Sequence, residues 1–199
     1  MNSGETTPLP PTCGIAFKEW RGVCEALASG RQSLILRKGG IEEGSGGFAP
    51  EHPVFWLYPT RVHQAEQGLK PEARPTHDAG PTAISTIGLT ALAVVAVIGR
   101  VDRVEDLGAL DDLHVWTEET VTKRFHYRSP GLWVLGVRVY RGDGPVTVAV
   151  TAAHAGCKTW VALEEAPRTA GLAPALAADE FEAVMGRLRS RLGPEATPR

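Results

Sequence analysis

Apolar positions along this chain recur at two spacings, and the alternation between them predicts the elements. Phe17, Trp20, Cys24 and Leu27 recur every three or four positions with Val23 beside them, while Lys18, Glu19, Arg21 and Glu25 lie off that stripe. The spacing predicts a helix with one buried face, stopped by Gly30 in a left-handed cap. Ser33 to Arg37 and Val54 to Tyr58 are short apolar runs of strand type, separated by a glycine-rich segment from Gly39 to Pro53. Such a long loop is usually functional or disordered. Pro59 and Thr60 end the second run, and the Thr60 hydroxyl is placed to cap a short helix reaching Gly68.

Leu89 to Val104 opens on a run of Leu, Ala, Val and Ile reaching Ile98, which predicts a long strand covered on both faces, with a buried helix as the competing reading. The acidic stretch 105–119 carries Leu107, Leu110 and Leu113 and reads as short helices, and a further helix is expected from Glu118 to about Phe125. Leu132 to Arg141 alternates at period two, and Gly142-Asp143-Gly144-Pro145 reads as a turn into Val146–Val150, a hairpin partner. Lys158–Leu163 reads as a last strand. In the final helix, 179–192, Phe181, Val184, Met185, Leu188 and Leu192 share a face, with acids early and Arg187, Arg189 and Arg191 late, as the helix dipole favours.

Helices and strands mix without strict strand–helix alternation. The expectation is a single α+β domain on a mainly antiparallel sheet, open or barrel-like, flanked by helices and ending in a C-terminal helix. The boundaries expected are a loose tail at 1–14, the domain at 15–165, a connector at 166–178, the helix at 179–192 and a tail at 193–199.

Composition adds limits. The chain has 199 residues, 43% hydrophobic and 22% charged, so it can bury a sizeable core. A net charge of -2 gives no sign of a strongly basic nucleic-acid binder or a polybasic membrane protein, although local clusters can still act. Cys13, Cys24 and Cys157 contain no CxxC pair, which argues against a disulfide framework and excludes a cysteine-rich zinc site. The first residues have neither the basic nor the apolar part of a signal peptide, and the most apolar run falls short of the roughly 20 residues that cross a bilayer. A cytoplasmic location is the expectation.

The motifs KEW (18–20), LRKGGIEE (36–43), FWLYPTRVHQ (55–64), HVWT (114–117), KRF (123–125), VRVYR (137–141) and GCKTWVAL (156–163), in this order, resemble the bacterial family known as domain of unknown function 1802. The resemblance covers about residues 15–165. It implies a shared fold and site region and a link to DNA restriction or defence. It supplies no reaction.

The chemistry-bearing residues leave two readings open, beside a purely protein-binding role that an exposed apolar patch would mark. In the first, Lys123, Arg124, Arg128, Arg138 and Arg141 form a stretch without acids, interleaved with Phe125, Tyr127, Trp133 and Tyr140. Cations neutralise phosphates and flat rings stack on bases. This reading makes the protein a nucleic-acid-associated accessory or binding module, with Arg37, Lys38, Lys123, Arg124 and Arg138 on phosphates and His63 and Gln64 as polar contacts. Its competitor is internal pairing of those cations with the acids of 105–119. In the second reading the protein is an enzyme acting on a phosphodiester or a small molecule, with a site built from Glu19, Lys38, Glu42, His52 and His63 converging under the 39–53 loop. The loop lacks the GxxxxGK[ST] and GxGxxG phosphate patterns, and the strand ending Leu36-Arg37-Lys38 has leucine where a restriction-type nuclease needs an acid. No HxH or HxxxH pair is present among His52, His63 and His114, so neither a metal nor another cofactor is expected.

Overall fold

A computed structural model describes residues 8–38, 52–60, 68–74, 85–156, 158–193 and 197–198. The first strand, β1 (Ile15–Trp20), lies centrally between β3 (Val54–Thr60), which runs parallel to it, and β6 (Trp160–Ala162), which runs antiparallel. The order continues through β4 (Thr86–Val101) and β5 (Leu132–Ala149) to β2 (Leu34–Arg37), giving β2-β5-β4-β3-β1-β6. Every pairing on this path except β1–β3 is antiparallel. Two-residue strands β7 (Ala173–Pro174) and β8 (Thr197–Pro198) add to β5 and β4. The α+β class therefore holds.

The sheet does not close into a barrel. Among the described residues no ladder joins the end strands β2 and β6. The ends do approach one another, because the Arg37 guanidinium at the end of β2 donates to Thr159 Oγ1, next to β6, at 2.5 Å.

Period-two alternation gives the sheet two packed faces. Phe17, Phe55, Leu57, Ala91, Ala93, Val137 and Val139 face the larger core, with α1 (Arg21–Ala28), α2 (Glu118–His126) and α3 (Ala178–Leu192) packed into it. Ala16, Trp56, Tyr58, Leu92 and Val161 face a smaller cluster on the other side, which Cys13 helps to cover. α3 buries Phe181, Met185 and Leu188, three of the five expected positions. It sits close to the sheet because Gly136 has no side chain: a Cβ there would stand 2.8 Å from both Met185 Sδ and Leu188 Cδ2.

Two expected elements differ. The helix expected from Phe17 begins only at Arg21, because Ile15–Trp20 takes ladder hydrogen bonds on both sides from β3 and β6. The stripe of threes and fours spans a strand–helix junction. The hairpin expected at Gly142–Pro145 is instead a local excursion within one strand. β5 continues along β4, with Arg141 opposite Ala91 and Val146 opposite Leu89, so residues 142–145 stand against Thr90 alone. Glycines and proline suit such a wide bulge as well as they suit a turn. The outer halves, Thr86–Leu89 and Val146–Ala149, form an arm beyond it.

Residues 8–14, expected to be loose, are tied to the segment after β6. Cys13 N donates to Pro167 O at 3.0 Å and Thr169 N to Pro11 O at 3.1 Å. The stretch 104–113 is a 3-10 helix burying Leu107, Leu110 and Leu113. The loop 39–51, the helix expected after Thr60, and with them Glu42, His63 and Gln64, lie outside the described residues, as does Cys157.

Candidate functional site

Charged side chains from β1, β2 and α2 meet at one end of the rolled sheet. β1 alternates, so Glu19 points to the larger core with Phe17 while Lys18 points to the opposite face with Ala16. The Glu19 side chain is 2% exposed. Its Oε1 accepts from Trp20 N at 2.8 Å, and Oε2 has no hydrogen-bond partner. Arg124 approaches Oε1 at 4.0 Å and donates to Leu36 O at 3.3 Å. Its guanidinium lies over Trp20 and Trp116, 4.2 and 5.1 Å from the ring centroids. Burial lowers the pKa of Arg124; Glu19 opposes the shift and Arg37 adds to it.

The neighbouring cations serve the fold in the same way. Arg37 lies over Phe17, 4.9 Å from the ring centroid, and its Nε is buried without a partner. Lys38 Nζ donates to Phe125 O at 2.7 Å, Gly131 O at 2.9 Å and also Ser129 O, so it collects carbonyls at and beyond the C-terminal end of α2. Desolvation, with Arg100 nearby, lowers its pKa. Arg138 is turned to α3, 5.0 Å from the Phe181 ring centroid. Lys123 stands on the outer face of α2, 75% exposed, and pairs with Glu119 one turn back at 2.6 Å.

Of the five residues of the enzyme reading, Glu19 and Lys38 share this region. His52 reaches it through rings: it packs on Trp160 at 5.2 Å, and Trp160 on Phe17 at 4.9 Å. Glu42 and His63 are outside the described residues. Among those described, no group of three or more His, Cys, Asp or Glu side chains could hold a metal. Of the acids of 105–119, only Glu119 pairs with the 121–141 stretch among the described residues, and Glu105 pairs with Arg103 at 3.6 Å. Asp111 pairs with Lys70 at 3.1 Å, and Asp112 with Arg187 at 3.3 Å and with Arg191.

On the other face lies a cleft of about 650 Å³, between the ends of β1 and β3 and the β4–β5 arm. Its size is typical of small-ligand sites, ~300–1,000 Å³. Lys18, Arg21, Tyr58, Thr86, Thr90 and His154 line it. Lys18 and Tyr58 are opposite each other in the β1–β3 register, with the ammonium 6.0 Å from the ring centroid. Lys18 Nζ also donates to the carbonyls of His154 and, at 3.0 Å, Gly156. Arg21, at the start of α1, pairs with Glu25 at 2.7 Å.

Both ring nitrogens of His154 are engaged by the backbone. Nε2 lies 3.2 Å from Ala162 O. Nδ1 accepts from Thr151 N at 3.5 Å. Cys24 touches the cleft, but burial and the carboxylates of Glu19 and Glu25 raise its pKa well above the usual thiol value, so it is no ready nucleophile. The cleft offers two cations, of which Arg21 is paired with the lining carboxylate Glu25, the hydroxyls of Thr86 and Thr90, and the largely buried Tyr58 ring.

The cleft is not among the regions singled out from the sequence, although several of its residues stand in the quoted motifs. Lys18, Tyr58, Pro59, Thr60 and Gly156 all belong to quoted motifs and all line the cleft. Thr86, Gly88 and Thr90 recur at period two at the start of β4 and supply its far wall.

Among solved structures, the chain is similar to ASCH from Zymomonas mobilis at 12% identity, over 86% of this chain and 93% of that one, with a TM-score of 0.40. A point mutant of the same protein gives 12% identity over 89% and 98%, with a TM-score of 0.39. No curated protein matches. Residues 16–187 match the family described as domain of unknown function, DUF1802, and on that match across most of its length the chain belongs to the DUF1802 family.

Proposed function

We propose that this protein is a nucleic-acid-associated binding module whose cleft receives a single nucleotide unit. The observation that carries this reading is the composition of the cleft wall: Lys18 and Arg21 on one side, the Tyr58 ring at the base, and Thr86 and Thr90 on the arm opposite. Cations meet a phosphate, a ring meets a base, and hydroxyls meet the polar edges of base or sugar. The phosphate contacts fall first to Lys18 and Arg21. Lys123 is an exposed flanking cation, while Arg37, Lys38, Arg124 and Arg138 support the elements behind. An accessory role beside DNA restriction or defence, as the resemblance implies, fits a chain that binds without a catalytic set of its own in the cleft. No described helix is long and apolar enough to cross a membrane.

The test is fluorescence anisotropy with labelled single-stranded and duplex DNA and RNA, at low and physiological salt, with and without magnesium. The expected result is salt-sensitive binding, weakened about tenfold by Arg21→Gln, which introduces no second carboxylate beside Glu25. Absence of binding at low salt, or equal binding by the variant, ends this reading. Running the same samples on a gel checks for cleavage, which would return the enzyme reading.

A further inference from the structure

A second concave surface lies on the side of the arm away from the cleft. It is a groove of about 450 Å³ between Val146–Ala149 of β5 and the segment Glu164–Arg168. The groove is the open seam of the rolled sheet. Farther back, the outer edge of β5 is covered by β2 at residues 133–136 and by β7 at 140–141. Among the described residues, no strand covers it at 146–149.

The hydrogen-bond phase of this edge follows from one bond. Val150 N donates to Ser85 O at 2.9 Å, on the β4 side. Alternate residues of an antiparallel strand direct their N–H and C=O to opposite sides. Val148 and Val146 therefore bond to β4, and Thr147 and Ala149 present their backbone groups to the groove. The facing wall is anchored: Cys13 N donates to Pro167 O, and Leu163 N to Gly14 O at 2.8 Å. That wall carries Glu164 and Glu165, both exposed and neither in an ion pair among the described residues, against the single cation Arg168.

We infer that this seam is a docking site for an extended, basic segment of a partner protein, which adds as a strand to β5 at Thr147 and Ala149 and sets lysine or arginine side chains against Glu164 and Glu165. Main-chain pairing supplies the affinity in this mode of recognition, and side chains at alternate positions supply the specificity. An unpaired edge also invites a second copy of the same chain. The excess of acid on the facing wall favours a basic segment instead.

The probe is a labelled peptide of alternating lysine and valine, measured by anisotropy against full-length protein. A peptide of alternating glutamate and valine and an N-methylated form of the basic peptide are the comparisons. The basic peptide is expected to bind, with at least about tenfold weaker binding of the acidic and N-methylated forms. Thr147→Pro removes an outward N–H that the β4 ladder does not use, and is expected to weaken binding to a similar degree. The double variant Glu164→Lys, Glu165→Lys should do the same, at unchanged thermal stability. No binding, or equal binding by the N-methylated peptide or by the charge-reversed variant, overturns the proposal, and those two arms decide it if Thr147→Pro lowers stability. A concentration-dependent dimer in light scattering that Thr147→Pro abolishes also overturns it, because the edge then pairs with a second copy.

Discussion

The Arg124 guanidinium lies over Trp20, 4.2 Å from the ring centroid, and it is the only cation that an ion pair brings to Glu19 among the described residues. The pair joins α2 to the β1–α1 junction. Removing one member leaves a nearly buried charge without compensation, which costs about 3 kcal/mol or more. Arg124→Ala should therefore lower the urea midpoint sharply. Arg124→Lys should recover little, because a compact ammonium cannot reach both indole rings and Leu36 O as the guanidinium does. The double variant Arg124→Met, Glu19→Gln should be more stable than Arg124→Ala, since no charge is then stranded. Equal midpoints for Arg124→Ala and wild type would show that the pair is solvated.

Lys38 gathers three carbonyls at the end of α2 and the turn after it. Hydrogen bonds to a charged donor contribute about 1.5–3 kcal/mol each when broken singly, less when solvent replaces them. Lys38→Met should cost about 2 kcal/mol in urea denaturation. Hydrogen exchange should rise first in Glu118–His126. Exchange that rises evenly over the whole chain would place the loss elsewhere.

His114 gives stability a pH dependence. Burial, reinforced by the positive charge of Lys70 and opposed by Asp111, lowers its pKa from 6.5 to about 4. The folded state therefore holds the ring neutral where the unfolded state takes up a proton. Its contribution is complete above pH 6.5 and is lost as the pH falls toward about 4. A shift of this size corresponds to an order of 3 kcal/mol. Urea midpoints measured from pH 7.5 to 4.5 should fall, and the fall should be shallower in His114→Gln. Parallel curves would remove His114 as the cause.

Thr90 lies at the cleft wall, exposed, opposite the β5 bulge. Thr90→Trp places a large ring in the cleft and touches no buried core position. It should weaken nucleic-acid binding by about tenfold or more with the thermal midpoint unchanged. Full binding by this variant would move the contact surface away from the cleft.

Much of the fold was legible because single elements carry their own period. The α2 helix is bounded by Thr117, whose side chain accepts from Thr120 N at 3.4 Å, and its acids come first and its bases last. The 16-residue β4 was legible from its apolar run Leu89–Ile98, although it begins at Thr86 and ends at Val101, three positions before the expected bounds. The errors sit where two elements join. Phe17 and Trp20 are spaced like a helix face with Cys24 and Leu27, yet their backbone is claimed by neighbouring strands distant in sequence. Gly142–Pro145 has turn chemistry, and only the long partner β4 decides that the strand goes on.

The cleft was harder to read for a related reason. Charge density drew attention to Arg37, Lys38 and Arg124, and burial turns those charges inward onto rings and carbonyls. The cleft depends on residues as far apart as Lys18, Tyr58, Thr90 and His154, each unremarked alone. Parity along β1 assigns Lys18 and Glu19 to opposite faces, so adjacent charges in one motif belong to two different places in the molecule.

The bulge at residues 142–145 divides β4 and β5 into two parts with separate tasks. The inner part is core, and its register with β2 and β3 is fixed by packing on both faces. The outer part is a partition wall: the cleft lies on one side of it and the seam on the other. The wall is not free of the interior: Leu89, fully buried, roots it in the smaller cluster, and Ile87, Val146 and Val148 pack against that cluster. A change in the length of the bulge would therefore trade one recess against the other about a fixed point, with Leu89 as the pivot.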